Sequence, residues 1–153
     1  MASAVSASAS GHVFPTSYTI QAENVCRRSR IRFAGSVARE DLPPYYQAAD
    51  LFLFSSETET QGLVLAEAHA CGLPAVAVRA SGVDEVVRDG ETGLLTKADA
   101  GDLADAAIGL LLEPSRRSAM ALASRALAES DFSAERQVEV MVARYQKLAG
   151  GQA

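Results

Sequence analysis

A short apolar run, Leu51–Phe54, is followed by a polar loop and then by a helix-forming segment that begins at Gly62. Four consecutive apolar residues predict a strand that is buried on both faces, as in the centre of a parallel sheet. Gly72 and Pro74 end the helix, and Ala75–Val78 repeats the apolar strand pattern. A strand, a helix and a second strand in this order predict a parallel α/β layer with right-handed crossovers.

The same alternation continues on both sides of this unit. Further strands are predicted over Ile31–Ala34 and Gly93–Thr96, with short helices over Leu42–Ala49 and around Asp84–Val87. Three longer helices are predicted to follow, over Gly101–Leu112, Ser115–Ala128 and Ser133–Leu148, the last with Ser133 as its N-cap. The fold class is therefore α/β: a Rossmann-like parallel sheet with flanking helices and a helical C-terminus.

The N-terminal part is poor in core-forming residues. Residues 1–16 are rich in Ala and Ser, which predicts a flexible tail, and Tyr18–Arg30 is predicted to form a weak helix. The domain is placed over residues 17–149. The start lacks the basic and apolar regions of a signal peptide, and no apolar run reaches the roughly 18 residues of a transmembrane helix. We therefore expect a cytoplasmic protein, and leave open whether it associates with the inner face of the membrane.

Charge and cysteine content exclude several classes of function. The net charge of −5 leaves no basic patch for a nucleic-acid backbone, so no nucleic-acid partner is expected. One bound nucleotide remains compatible with this charge, because backbone N–H groups and a helix terminus suffice to hold it. Cys26 and Cys71 form one bridge at most, which favours a reducing compartment, and Cys71 is interpreted as a small buried residue.

The loop after Leu51–Phe54 is the best candidate for a binding site. Ligands of open parallel sheets bind at the carboxyl ends of the strands, where loops lead into helices. The N–H groups of Gly62, Leu63 and Val64, at a helix start and at the positive end of its dipole, suit a diphosphate. Glycine at the start lets the backbone approach a ligand closely.

Two carboxylates stand on either side of this helix start. Glu67 shares a helix face with Leu63, Ala70 and Cys71, so we expect it to need hydrogen-bond donors, and ribose hydroxyls suit it. The alternative is a helix edge that is open to solvent, with Glu67 hydrated there. Glu59 lies on the loop, where it suits sugar hydroxyls or a developing oxocarbenium ion, or else is a solvated loop carboxylate.

Glu57 and His69, also near the loop, give weaker evidence of a functional role. Glu57 has the same chemistry as Glu59, and only the spacing to Glu67 favours Glu59. His69 is predicted to be a partly exposed helix residue. With two histidines in the chain and no Asp-x-Asp pair, no metal holding a diphosphate is indicated.

The order of these motifs resembles the C-terminal, donor-binding domain of glycosyltransferase family 4. The resemblance runs from about residue 31 to the C-terminus and is carried by several segments. These are Arg32–Val37, Leu42–Leu53, the pair Glu59 and Glu67, Gly72–Ala77, Ser81–Val87 and Asp89–Leu95. It implies half of a GT-B fold, in which the donor lies between two Rossmann-like domains. It also implies hexosyl transfer with retention from UDP-glucose or another nucleotide sugar, without an obligatory metal or other cofactor.

The resemblance also implies roles for single residues. Glu59 would be the catalytic-site carboxylate that contacts the donor sugar, and Glu67 would hold the ribose. The backbone of Thr60, Gln61, Gly62, Leu63 and Val64 would hold the diphosphate, and Gly35, Ser36 and Val37 would lie near the base. Thr60-Gln61-Gly62, where many members have Phe-Gly, is similar to the variant of glycolipid-forming members. This points to a glycolipid or a polysaccharide precursor as acceptor.

The chain departs from the family pattern at its N-terminal side. The acceptor domain and the opening strand of the donor domain, with its cationic segment, have no counterpart. We therefore expect a fragment, a truncated product or one half of a split enzyme. It would be inactive until a separate acceptor-binding domain, or a second copy of the chain, completes it. The alternative is a non-catalytic nucleotide-binding or interaction module of the same fold.

Overall fold

The structure is a computed structural model that describes residues 34–150 and the backbone of residues 4–5. By its internal contacts the chain divides into two compact units, one of residues 8–42 and one of residues 1–7 with 43–153. In the first unit the described part ends in a 3-10 helix, Arg39–Asp41, which begins after the extended residue Ala38. The second unit contains the sheet and the longer helices.

The sheet has four parallel strands in the order β1-β2-β3-β4, which is also their order along the chain. The strands are β1 (Ala4–Val5), β2 (Leu51–Phe54), β3 (Ala75–Val78) and β4 (Gly93–Thr96). The register pairs Phe52 with Ala75, and Ala75 with Gly93. Strands β2 to β4 lie where the apolar runs predict them, because β2 and β3 need cover on both faces.

The helices of the described part are α1 (Leu42–Ala48), α2 (Leu63–Ala70), α3 (Ser81–Asp84), α4 (Ala100–Leu112), α5 (Pro114–Asp131) and α6 (Ala134–Gly150). The α/β class with flanking helices and a helical C-terminus is confirmed. Asp99 caps α4 by accepting hydrogen bonds from the N–H groups of Gly101 and Asp102. Ser133 caps α6 through the Arg136 N–H, as predicted.

Helix α3 corrects one prediction. A helix was expected around Asp84–Val87, but it begins three residues earlier, at Ser81. The Ala80 carbonyl accepts hydrogen bonds from the N–H groups of Val83 and Asp84, at 2.9 and 3.0 Å, and this opens the helix. Gly82 therefore lies inside the first turn, a place where the low helix propensity of glycine argues against a helix.

Some predictions fall outside the described residues. These are the weak helix over Tyr18–Arg30 and all but the last residue of the strand over Ile31–Ala34. The tail predicted over residues 1–16 is described only at Ala4–Val5, which pairs with Leu51 and Phe52 as β1.

The core lies between the sheet and the helices that follow it. Leu51, Val76, Leu110 and Met120, from β2, β3, α4 and α5, form one buried cluster. Phe52 packs edge-on against Tyr46 of α1, with ring centroids 5.8 Å apart. The two central strands are thus covered by helices on both faces, which explains their continuous apolar sequence.

Helix α6 differs from the other long helices because none of its described residues is buried. Its large apolar side chains, Val138, Met141, Val142, Tyr145 and Leu148, are exposed. Their spacing places them along one side of the helix. We call these five residues the α6 stripe. Within residues 34–150 no helix is both long and apolar enough to cross a membrane.

We expect Leu51→Ala to lower the free energy of unfolding by about 2–5 kcal/mol, because it removes buried methyl groups and leaves a cavity in the core cluster. Leu122→Ala is the matched control, since Leu122 is 76% exposed on α5 and its loss should cost less than about 0.5 kcal/mol. Urea unfolding of the two variants measures the difference. Equal losses would contradict the assigned core.

Candidate functional site

The loop between β2 and α2, residues 55–62, lies at the carboxyl end of the central strand β2. Its last residue, Gly62, has φ of 61°, a left-handed conformation that glycine adopts without strain. The reversal of direction at Gly62 turns the chain from the loop into α2. The loop therefore places its backbone N–H groups at the N-terminal end of α2, where the helix dipole is positive.

Three of these N–H groups converge on one atom. The N–H groups of Thr60, Gln61 and Gly62 each donate to Oε1 of Glu59, all at 3.0 Å. We call these three groups the N–H cradle. The hydrogen bonds from Gln61 and Gly62, with a smaller one from Thr60, lower the pKa of the Glu59 carboxyl below its usual range. Glu59 is thus held ionised and acts only as a hydrogen-bond acceptor.

This arrangement corrects the expectation that the N–H groups of Thr60, Gln61 and Gly62 are free for a diphosphate, because Glu59 accepts all three. The next two N–H groups, those of Leu63 and Val64, donate to no acceptor among the described residues. They have no partner for the ordinary reason that a helix leaves its first N–H groups unpaired. An anion that approaches the start of α2 therefore meets these two donors.

Glu67 lies in the second turn of α2, about 6 Å along the helix axis from Leu63. The face that carries it is the exposed one: Leu63 is 60% exposed, and Ala70 is exposed as well. Glu67 shares this face with Leu63, Ala70 and Cys71, as predicted, and the exposure of the face favours the alternative of a helix edge that is open to solvent. Four other residues form the buried side of α2, namely Val64, Leu65, Ala68 and His69. Glu67 itself is half-buried, and a ligand at this face can reach it.

Electrostatic effects show which side chains lie near Glu67. The pKa of Tyr46 is raised, first by burial and then by the charge of Glu67. The pKa of the Cys71 thiol is also raised, first by burial, with Glu67 adding to the effect. Cys71 was interpreted as a small buried residue, and it is half-buried. Glu67 therefore lies within electrostatic reach of Tyr46 on α1 and of Cys71, which follows α2.

His69 is another correction, because it is fully buried and not partly exposed. Its Nδ1 lies 3.2 Å from the Leu73 carbonyl, and its Nε2 has no partner within the described chain. Burial lowers the pKa of His69, so the ring is neutral at physiological pH. His69 belongs to the core side of α2, opposite the face that carries Glu67.

Gly35, Ser36 and Val37 belong to the unit of residues 8–42. Gly35 has φ of 69° and is exposed, which fits a turn. The placement of Gly35, Ser36 and Val37 near a base stays a prediction.

Among the described residues, no three His, Cys, Asp or Glu side chains lie close enough together to form a metal site.

Arg79 and Gly82, for which no role was predicted from the sequence, lie near the carboxyl ends of the strands. Arg79 directly follows β3, and its guanidinium pairs with Asp84 at 3.3 Å and Asp89 at 2.8 Å. Both pairs are about half exposed, so each contributes little stability. Gly82 donates its N–H to the carbonyl of Glu59 at 3.2 Å. Gly82 lies in the motif Ser81–Val87 that the sequence analysis identified. Its hydrogen bond to the loop could not be predicted from that motif.

The fold is that of one half of the GT-B-like glycosyltransferases, a class in which nucleotide sugars are the donors. More particularly, a family model described as "Glycosyl transferases group 1" matches residues 12–113, about two thirds of the chain. The chain belongs to this family.

Relatives and solved structures agree with this assignment. A D-inositol 3-phosphate glycosyltransferase of Mycobacterium marinum is 36% identical over 145 residues, which cover 94% of this chain and 31% of that protein. A sucrose-phosphate synthase from Thermosynechococcus elongatus superposes with a TM-score of 0.78 at 30% identity, over 89% of this chain and 35% of that one. The Anabaena protein HepE in complex with UDP-glucose superposes with a TM-score of 0.75 at 26% identity, over 86% and 38%. The chain spans about a third of the length of these relatives.

We expect Glu59→Gln to lower the free energy of unfolding at pH 7 by about 1 kcal/mol, because the N–H cradle and the helix dipole then face a neutral group. Glu57→Gln is the control, since this neighbouring carboxylate is exposed and should leave stability at pH 7 unchanged. Chemical denaturation of the three proteins measures the effect.

The difference between wild type and Glu59→Gln should depend on pH. The folded-state pKa of Glu59 lies below the unfolded value of about 4.3. Its contribution is therefore complete above that value, and it disappears as pH falls through the lower, folded-state pKa. A difference that grows as the solution becomes more acidic would contradict the assigned hydrogen bonds.

Proposed function

We propose that the chain is the donor-binding part of a retaining glycosyltransferase of family 4, which transfers a hexose from a nucleoside-diphosphate sugar. The observation that carries the proposal is the loop before α2, where an ionised carboxylate, two unpaired helix N–H groups and a reachable second carboxylate follow one another. The family membership and the UDP-glucose bound to HepE support the choice of donor.

In this proposal the two oxygens of Glu59 have different tasks. Oε1 is held by the N–H cradle, which fixes the position of the carboxylate. Oε2 accepts no hydrogen bond from the described residues and is the oxygen that accepts one from a hydroxyl of the donor sugar. A carboxylate that is held in place before the substrate arrives loses little conformational entropy on binding.

The diphosphate then binds at the N–H groups of Leu63 and Val64, and not at the cradle. The positive end of the α2 dipole favours an anion there. Glu67 follows one turn later on the exposed face and accepts hydrogen bonds from the ribose hydroxyls. We propose that the nucleotide sugar binds without a metal ion. The family resemblance supports this proposal.

The chain spans about a third of the length of its relatives, and a glycosyltransferase binds an acceptor as well as a donor. We propose that an acceptor-binding domain packs against the α6 stripe and completes the cleft. The exposed apolar side chains of the stripe support this, since exposed apolar patches mark interaction surfaces. The name of the D-inositol 3-phosphate glycosyltransferases among the relatives favours a phosphorylated polyol as acceptor, beside the glycolipid or polysaccharide precursor predicted from the sequence.

The donor site is tested by calorimetric titration of the full chain with UDP and UDP-glucose, with and without magnesium. We expect metal-independent binding, and we expect Glu67→Ala to weaken UDP binding about tenfold or more, because it removes hydrogen bonds to a charged acceptor. Glu139→Ala, which removes an exposed carboxylate from α6, is the control.

Glu59→Ala should instead reduce the preference for UDP-glucose over UDP, since Glu59 contacts only the sugar in this proposal. Equal UDP affinities of wild type and Glu67→Ala would rule out the ribose assignment. A chain that binds neither ligand would rule out an independent donor site and would favour the non-catalytic interaction module.

The α6 stripe is tested by sedimentation equilibrium over a wide range of concentrations. We expect the chain on its own to self-associate weakly through this surface, and Tyr145→Lys to weaken the association by placing a charge in it. Gln146→Lys, one residue further along the same helix, is the control and should associate like wild type. If both variants weaken the association equally, the stripe is not the contact surface.

A further inference from the structure

Helix α3 approaches the loop before α2 more closely than a side chain would allow. A Cβ atom at Gly82 would lie 2.7 Å from the Thr60 carbonyl carbon, 2.8 Å from the Glu59 carbonyl oxygen and 2.9 Å from the Gln61 nitrogen. All three are backbone atoms of the segment that forms the N–H cradle. No rotation of a side chain relieves such an overlap, so only glycine fits at this position.

The contact is equally close from the other side. A Cβ atom at Gly62 would lie 2.6 Å from Cγ2 of Val86 and 2.8 Å from the carbonyl oxygen of Gly82. The positive φ of Gly62 favours glycine there in any case. Gly82 has no positive φ, so backbone conformation gives no reason for glycine at this position. The reason is the space taken by the loop.

The two sides of this contact are not equally free to move. Val83, Val86 and Val87, which follow Gly82, are buried in the core. Thr60 and Gln61 are exposed and belong to the surface loop. A larger residue at position 82 therefore displaces the loop and leaves α3 in place, because displacement of α3 would uncover three valine side chains.

We propose that Gly82 is a positioning residue of the donor site, which sets the place of the Glu59 carboxylate by holding the backbone of Glu59–Gln61 against α3. The Gly82 N–H donates to the Glu59 carbonyl and so provides a second hydrogen bond that holds the same segment, in addition to those of the side-chain carboxylate. The link to catalysis rests on the proposed function, whereas the link between Gly82 and the cradle rests on the contacts alone.

The test compares Gly82→Ala with Gly109→Ala. Gly109 lies inside α4 with open space around its Cβ position, so it controls for the added methyl group. In Gly82→Ala we expect the displaced N–H cradle to release the carboxylate, so that NMR titration finds the pKa of Glu59 raised toward that of an ordinary glutamate. We expect the affinity for UDP-glucose to fall about tenfold, the equivalent of one lost hydrogen bond to the sugar.

Gly109→Ala should leave both quantities at their wild-type values. A folded Gly82→Ala protein with an unchanged Glu59 titration and unchanged UDP-glucose affinity would overturn the proposal. A wild-type chain that does not bind UDP-glucose would contradict the proposed function instead, because the carboxyl titration needs no nucleotide.

A second measurement covers the case in which Gly82→Ala does not fold. Glu59→Gln is nearly isosteric and changes a half-buried side chain of the loop, outside the core. If the loop and Gly82 are linked, this substitution should shift the amide resonance of Gly82 and leave that of Gly109 unchanged. A Gly82 amide that does not respond would also overturn the proposal.

Discussion

One oxygen atom of Glu59 accepts hydrogen bonds from three consecutive N–H groups, and the shape of the site depends on this interaction. The loop is exposed, and without the carboxylate its N–H groups would turn to water in many conformations. A single ionised oxygen at the positive end of α2 draws them to one point. The same segment is also held by the close backbone approach of Gly82. A surface loop thereby acquires the rigidity that a binding site needs.

This arrangement also separates the tasks of the polar groups. Glu59 already accepts the three N–H groups of the cradle, so the proposed phosphate site lies in the first turn of α2, at Leu63 and Val64. Glu67, on the exposed face of the same helix, stands beyond them. The buried face of α2 meanwhile packs into the core and holds the helix in place. The groups proposed to bind the ligand and the groups that pack in the core thus lie on different sides of one short helix.

Elements with an unambiguous local sequence pattern were predicted correctly, and elements without one were not. Strands β2 and β3 are apolar throughout, which leaves no alternative to a central position, and Gly72 with Pro74 ends α2 within a residue of the prediction. The helix predicted around Asp84–Val87 lies about three residues too far along the chain. The reason is that Gly82, in the first turn of α3, has a low helix propensity. The burial of His69 was not predicted, and the exposure of the face that carries Glu67 was left open, because α2 is apolar nearly all round. Its sequence therefore does not distinguish the side that packs from the side that faces solvent.

The sequence by itself determined the α/β alternation, the helix start at Gly62 and the two carboxylates that bracket it, because these follow from local composition and spacing along the chain. Only the tertiary structure decided which side of α2 is covered, which N–H groups Glu59 occupies, and why position 82 holds a glycine. These features depend on contacts between segments that are distant in the sequence. The distances between such segments are set by the packing of the whole core, which no local pattern encodes.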